Sequence, residues 1–336
     1  MDSDEQHPRH YADDWRFEPP SKLSFIQRIL ARSSFLAPSP RTTHFPRSSD
    51  KVPVVREWQL HCLIFPWAFA PVLTRWALYR YLNWTVPPVV MYFSLSIYFM
   101  VYVSHYFTTL YQLSRTYGFF DGSSQRDSIS PSMAPRVLYE ALLAMLLRPL
   151  ALIVLAYDPH ATMEVSWWFP VQMFFFTLFA DFIYYWVHRA THESDTLWHL
   201  HRLHHTVKHP SPSLLGFADG PQELFDIVGT MVLTYLVYPL RFDELQMWMV
   251  YLVSMEASGH SGVRLYVPGC LTSTFLRLFD CELALEDHDL HHRHGWRKSI
   301  NYGKQSRMWD ALFGTWSERL EGRKDNLDWT TPVSFS

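Results

Sequence analysis

Nine histidines in the C-terminal half of the chain fall into four short motifs whose spacing is typical of metal ligands. The chain contains 18 histidines in 336 residues. His188 and His192 lie four positions apart, so a helix places both on one face. Two later motifs share the spacing H-x-x-H-H, and one histidine lies in the letters GHSG. The predicted metal ligands are His188, His192, His201, His204, His205, His260, His288, His291 and His292.

The number of imidazoles predicts two metal ions. Zinc usually takes four ligands, and one ion seldom takes more than about six. Imidazole binds iron, zinc, copper and nickel, whereas structural zinc more often recruits cysteine. None of Cys62, Cys270 and Cys281 has ligand spacing. Because a redox metal suits a substrate that arrives from a membrane, we expect two iron ions.

The remaining histidines are treated differently. A helix would place His199 opposite the ligands of the motif at 201–205, which excludes it. His209 and His294 adjoin the motifs but break the repeated spacing, so a ligand role for them stays open. The other six are interpreted as ordinary surface or core residues: His7, His10, His44, His61, His105 and His160.

Four apolar runs precede or enter the histidine motifs, at 58–78, 87–113, 137–157 and 165–187. A helix that crosses a bilayer needs about 20 such residues. The run at 87–113 has no charged side chain, whereas the run at 137–157 is interrupted by charges and a proline. These runs predict about four membrane spans.

Two shorter runs, 224–240 and 245–259, predict a helical hairpin that dips into or crosses the membrane. The predicted fold is therefore all-α: a polytopic membrane helical bundle, with about four spans and a re-entrant or spanning hairpin. A cytosolic histidine-rich helical metal domain caps the bundle.

We divide the chain into four parts by composition. They are a disordered polar arm (1–55), N-terminal transmembrane helices (56–164), a histidine-rich metal domain (165–320) and a C-terminal tail (321–336). The arm is rich in Lys and Arg, and the loop 158–164 has neither. By the positive-inside rule, both termini and all the histidine motifs face the cytosol.

Overall composition excludes several classes of protein. The formal net charge is −3, which argues against a nucleic-acid partner. The 48% of apolar residues excludes disorder along the whole chain. Three cysteines without a pairing pattern exclude a secreted disulfide scaffold and favour a reducing compartment or a membrane.

With these motifs in view, residues 165–316 resemble the fatty acid hydroxylase/sterol desaturase superfamily. The segment shared with that family extends beyond the histidines. The matching segments are HRATH (188–192), HRLHH (201–205), HDLHH (288–292), the run 181–186, GHSG (259–262) and NYGKQSRMWDALFGT (301–315).

The resemblance implies an integral membrane di-iron oxygenase of the endoplasmic reticulum. Such an enzyme uses O2 as cosubstrate and acts on a sterol, sphingoid base, fatty acyl chain or other hydrophobic metabolite from the bilayer. Its two electrons come from a separate donor, such as cytochrome b5 or a reductase. The GHSG segment is similar to the hydroxylating branches, which favours hydroxylation over desaturation.

Acidic residues near the motifs are predicted to orient the imidazoles. Asp181 lies about two helical turns before His188, and Glu256 lies four residues before His260. Asp287 and Asp289 flank the first histidine of the last motif. The catalytic residues beyond the metal centre stay undetermined.

Three alternatives remain open. A desaturase would use the same two metals. A zinc metallohydrolase usually has the motif H-E-x-x-H, but His192 and Glu193 are followed by SDT. A non-catalytic metal-binding scaffold or a metal transporter is the third, although transporters place ionisable residues within their spans.

Overall fold

Residues 15, 18–32, 50–121, 126–127, 129–161, 163 and 165–335 are described by the computed structural model of this chain. Within them the fold is mainly helical, with one two-stranded sheet. Four long helices surround a fifth, and shorter helical elements carry six of the nine predicted metal ligands.

The four long helices match the four apolar runs. They are α2 (Glu57–Leu82), α3 (Pro88–Tyr117), α4 (Ala134–Ala156) and α5 (Phe169–Glu193). Each is long and apolar enough to cross a membrane, with α4 counted from the preceding 3-10 turn Pro131–Met133. The predicted all-α bundle is confirmed.

The outward surfaces of these helices are apolar, as lipid contact requires. Most of each apolar stretch stays unburied by protein, and large hydrophobic side chains point outward. They include Phe65 and Leu73 on α2, Phe93 and Ile97 on α3, Leu142 and Val154 on α4, and Val171 and Phe175 on α5.

Helix α4 is continuous despite the interruptions in its sequence. Pro149 lies inside it, and Arg148 is buried rather than lipid-facing. Arg148 donates to the carboxylate of Glu256 at 2.8 Å, so its charge is paired inside the bundle. This pair explains why a charged residue occurs within an apolar run.

The predicted hairpin forms a more complex structure. It comprises α7 (Gly220–Leu224), a π-helical turn (Phe225–Gly229), α8 (Thr230–Val237) and α9 (Phe242–Gly259). Neither α8 nor α9 is among the four helices that meet the criteria for a span.

Helix α9 is the central helix of the bundle, and all its residues except Leu252 are buried. It packs against α2, α3, α4 and α5. Its polar side chains have partners on those helices: Tyr106 and Ser258 share a hydrogen bond of 2.9 Å, and Trp248 donates to Thr177 at 3.1 Å. These bonds make burial of the polar groups tolerable.

Short elements complete the fold. They are α1 (Phe25–Arg32), α6 (Asp195–His201), α10 (Ser273–Leu276), α11 (Leu285–His294), α12 (Met308–Phe313), and 3-10 turns at His204–Thr206, Pro212–Leu214, Arg277–Phe279 and Lys324–Asn326. Strands β1 (Val52–Pro53) and β2 (Leu327–Asp328) pair in parallel.

Parts of the predicted disordered arm are ordered in this structure. Helix α1 packs on α4 with Leu30 fully buried, and Trp15 donates from its indole to the carbonyl of Ile129 at 2.9 Å. The pairing of β1 with β2 joins the arm to the tail. The apolar side chains of the amphipathic α1 explain its order. Residues 1–14, 16–17 and 33–49 of the arm lie outside the described residues.

Candidate metal centre

Five separate pieces of backbone bring the nine predicted ligands together. The C-terminal end of α5 carries His188 and His192, and α6 ends with His201. The following 3-10 turn carries two more, the end of α9 carries His260, and α11 carries the last three. All nine side chains are buried.

The nine imidazoles form two groups, and within each the potential ligand atoms lie within 4.8 Å of one another. We call them the five-histidine group and the four-histidine group. The five-histidine group contains His188, His192, His201, His205 and His291. The four-histidine group contains His204, His260, His288 and His292.

The Nε2 atoms inside each group face one another at short range. In the five-histidine group, His201 Nε2 lies 3.1 Å from both His188 Nε2 and His205 Nε2. In the four-histidine group, His260 Nε2 lies 3.1 Å from His288 Nε2 and 3.4 Å from His204 Nε2. A metal–nitrogen distance of about 2.1 Å gives ligand separations of about 3.0 Å in an octahedron and about 3.4 Å in a tetrahedron.

Backbone carbonyls determine which ring nitrogen carries the proton. A carbonyl only accepts hydrogen bonds, so each Nδ1 bonded to one must donate, and the Nε2 of that neutral ring keeps its lone pair. Six of the nine imidazoles are held in this way. The pairs are His188 with Tyr302, His192 with Trp296, His204 with Phe217, His260 with Glu256, His291 with Ile300 and His292 with Val207.

This arrangement leaves lone pairs directed at one another. The Nε2 atoms of His204 and His260 both carry lone pairs, and nothing in the described structure satisfies the buried Nε2 atoms of His192 and His292. Facing lone pairs repel, and a cation between them converts repulsion into coordination. The donor set and its tautomers therefore fit a metal ion in each group.

Burial keeps the imidazoles in the form that binds metals. Desolvation lowers the pKa of His204 to about 3, with a smaller contribution from the charge of Lys304. Desolvation likewise lowers the pKa of His260 and His292 well below the usual value. Neutral imidazoles bind metals without first losing a proton.

The acidic residues predicted to orient the imidazoles contact other groups. Asp181 accepts hydrogen bonds from the backbone of Lys304 and Gln305, both at 2.8 Å. Glu256 pairs with Arg148 through its carboxylate and holds His260 only through its carbonyl. None of these contacts joins a carboxylate to an imidazole.

The two aspartates of α11 are likewise bound to arginines. Asp287 accepts two hydrogen bonds from Arg319, at 2.9 and 2.7 Å, and Asp289 pairs with Arg293 at 2.6 Å. In this site, carbonyls perform the orienting role that the sequence assigned to carboxylates. The physical reason is that a carbonyl accepts from Nδ1 without adding a buried charge.

One loop supplies three of the six carbonyls, those of Trp296, Ile300 and Tyr302. Asp310 holds this loop by accepting from the backbone of Tyr302 at 2.7 Å and of Gly303 at 2.8 Å. Sequence reasoning missed these roles because a carbonyl has no side-chain signature. The segment NYGKQSRMWDALFGT was the signal that marked the loop.

The described histidines outside the motifs belong to neither group, and His7, His10 and His44 lie outside the described residues. His199 and His294 are exposed, and His209 pairs with Asp121. A ligand role for His209 or His294 therefore has no geometric support among the described residues.

Comparison with known proteins agrees with the motifs. The fatty acid hydroxylase family model matches residues 173–315. The fatty acid hydroxylase vlmA of Lecanicillium sp is 40% identical over 64% of this chain and 62% of its own length. The very-long-chain aldehyde decarbonylase GL1-11 of Oryza sativa subsp. indica is 32% identical over 57% of this chain and 72% of its own length.

Sterol-modifying proteins are also similar. The methylsterol monooxygenase 2-2 of Arabidopsis thaliana is 32% identical over 47% of this chain and 57% of its own length. The chain thus spans less than two thirds of vlmA and of this sterol enzyme. No solved structure matches the chain significantly. The family match, the extent of the decarbonylase alignment and the histidine motifs together show that the chain belongs to the fatty acid hydroxylase superfamily.

Proposed function

We propose that this protein is a membrane-bound di-iron oxygenase that hydroxylates an aliphatic carbon of a lipid. In the balanced reaction, the substrate C–H bond, O2, two electrons and two protons give an alcohol and one water. The electrons come from a separate donor such as cytochrome b5 or a reductase. The observation that carries the proposal is the pair of buried histidine groups whose Nε2 lone pairs converge.

The choice of iron follows from the ligands and from the relatives. No cysteine belongs to either histidine group among the described residues, which argues against a structural zinc site. Three relatives are named monooxygenases, and their chemistry needs a redox metal. Iron bound at these groups would supply the activation of O2 that no amino-acid side chain provides.

The protein's own residues supply position and exclusion of water. Carbonyls of the 296–302 loop fix the ring orientation of His188, His192 and His291. The buried α9 presents His260 at its C-terminal end, so the bundle core supports the site directly. Burial of all nine imidazoles keeps bulk water from the reacting carbon.

Removal of the carbonyl carbon of a long-chain aldehyde is the second candidate reaction. It is favoured by the decarbonylase relative, of which this chain covers 72%. Desaturation with the same metals is a variant of the leading proposal. A metallohydrolase or a non-catalytic scaffold would leave the convergent lone pairs without a redox role.

The product identifies the reaction. Full-length protein in lipid nanodiscs is loaded with iron under anaerobic conditions. It is then given a reductant and O2 labelled with a heavy oxygen isotope. Hexadecanol, hexadecanal and a methylsterol are tested in turn as substrates. We expect a product alcohol that carries one heavy oxygen atom, formed only with iron. A hydrocarbon one carbon shorter than hexadecanal would instead assign decarbonylation, and a new double bond without heavy oxygen would assign desaturation.

We place the protein in the endoplasmic reticulum membrane with both termini and the histidine motifs in the cytosol. Arg115 in the last turn of α3 and Arg136 in the first turn of α4 flank the loop between these helices, whereas the loop after α4 has no Lys or Arg.

A tag placed after Ser336 tests this topology. The tag is expected to be digested by protease added to intact microsomes, as is a known cytosolic marker. Protection of the tag until detergent is added would reverse the orientation.

A further inference from the structure

A cavity lies between α3, α4 and α9, closed on one side by the 3-10 turn Pro212–Leu214 and the residues after it. It has about 640 Å³ of empty space, part of it open to solvent. Most of the lining, which we call the apolar end, is formed by Val103 and Phe107 of α3, Ala141 and Ala144 of α4, and Val253 of α9. The buried Glu140 lies beside Ala141 and is paired with Arg136 at 2.7 Å. The small side chains of the two alanines leave room that larger residues would fill.

The rest of the lining includes an ionic cluster, which we call the polar end and in which Arg148, Glu256 and Lys304 are buried. Glu256 accepts from Arg148 at 2.8 Å, and the Lys304 ammonium lies 3.5 Å from its other oxygen. Asp226 also lines this end and accepts from Gln222 at 3.0 Å. Two cations and two carboxylates give this cluster a net charge of zero, counting Arg148 and Lys304 against Glu256 and Asp226. The third carboxylate of the lining, Glu140, is neutralised by Arg136.

The ionic end adjoins the histidines. The carbonyl of Glu256 holds His260 at 2.8 Å. The Lys304 ammonium lies 4.6 Å from the centre of the Tyr184 ring, which is 5.0 Å from the ring of His188. The polar end of the cavity therefore lies beside the candidate metal centre.

The Lys304 ammonium has more hydrogen-bond donors than the contacts described for it use. An ammonium has three donors. Within the described part of the chain, its polar contact is a single long one to Glu256, and the residue is only 7% exposed. A ligand oxygen at this position would satisfy donors that water reaches poorly.

We propose that this cavity binds an uncharged amphipathic lipid, a long-chain alcohol or carbonyl compound, with its chain along the alanine wall and its oxygen at Lys304. A carboxylate or an ammonium head would add an uncompensated charge to a neutral buried cluster. The inference deepens the proposed function, on which it rests for the reaction. It adds that oxidation occurs near the polar end of the lipid, at a position counted from the oxygen.

Binding tests the site without turnover. Full-length protein in nanodiscs, without added iron, is irradiated with hexadecanol that carries a photoreactive diazirine in its chain. Unlabelled hexadecanol and hexadecanal are expected to compete about tenfold better than hexadecanoate or hexadecylamine. The difference arises because binding of either charged lipid would bury a charge without a partner. Equal competition by the charged lipids would overturn the assignment of the polar end.

Variants test the apolar end. Ala144→Phe fills the cavity and should reduce crosslinking by about tenfold or more. Leu142→Phe is the matched control, because Leu142 is on the same helix but 43% exposed on its outer surface. Equal crosslinking in both variants would place the lipid elsewhere. Competition is measured in the unchanged chain, so a misfolded variant cannot decide the question.

The position of oxidation separates this inference from the proposed function. In a series of alcohols of increasing chain length, the oxidised carbon should stay at a fixed distance from the hydroxyl. A fixed distance from the methyl end would overturn the orientation while leaving the oxygenase proposal intact. Selective binding without any oxidised product would contradict the oxygenase proposal and leave the proposed lipid site intact.

Discussion

Replacement of His204 by alanine is expected to remove metal from the four-histidine group and to lower turnover more than about 100-fold. Loss of a residue that merely orients a ligand already costs about 10- to 100-fold. His204 contributes an Nε2 that lies 3.4 Å from that of His260, so its loss opens the ligand set itself. Metal content of the iron-loaded protein and product formation, measured on the same preparation, check this expectation.

His199→Ala is the matched control for this variant. His199 lies five residues before His204, is exposed, and belongs to neither histidine group. It should keep about two metal ions per chain and full turnover. If His204→Ala also retained both, the four-histidine group would not be a metal site. If His199→Ala lost metal, the helix-face argument used to exclude it would be wrong.

Helix periodicity explains how much of the candidate site could be predicted. Histidines four positions apart share a face of a helix, and each such pair lies in one group: 188 with 192, 201 with 205, and 288 with 292. The sequence could not predict to which group the middle histidine of each H-x-x-H-H motif belongs. His204 belongs to the group of His288 and His292, and His291 belongs to the group of His201 and His205. The two motifs exchange these residues because they face one another across the site.

The orienting groups could not be predicted for a different reason. Asp181, Glu256 and Asp287 are close in sequence to histidines, and proximity suggested direct contact. Each is instead bound to a cation or a backbone segment far along the chain, such as Arg148 for Glu256 and Arg319 for Asp287. The Asp287–Arg319 contact spans 32 residues and the Arg148–Glu256 contact spans 108, and a local sequence pattern gives no information on contacts at such separations.

For the membrane helices, too, the sequence predicted the elements but not their tertiary environment. Length and hydropathy predicted four long helices, because a span needs about 20 apolar residues. They could not distinguish lipid contact from burial within the bundle for the run that became α9. That helix is apolar and enclosed by four others, so its environment depends on tertiary packing.

Arg319→Met is expected to destabilise the protein by about 3 kcal/mol, because it leaves a buried carboxylate with one cation fewer. Arg319 and Asp287 are both buried and form two hydrogen bonds, at 2.9 and 2.7 Å. Arg307 lies 3.4 Å from the same carboxylate and keeps part of the compensation, so the lower end of the usual range applies. The free energy of unfolding in detergent, followed by tryptophan fluorescence, measures the loss.

The loss should extend to the metal centre, because Asp287 also fixes the start of α11. Its carboxylate accepts from the backbone of Ala284 at 2.8 Å, and this helix carries three of the nine histidines. Metal content should therefore fall in Arg319→Met and recover in part when Asp287→Asn removes the unpaired charge. Arg323→Met is the control, since its pair with Asp325 is 3.7 Å long and exposed, and it should change stability by less than about 0.5 kcal/mol. Equal stability of the two arginine variants would show that the Asp287 contact does not hold α11 in place.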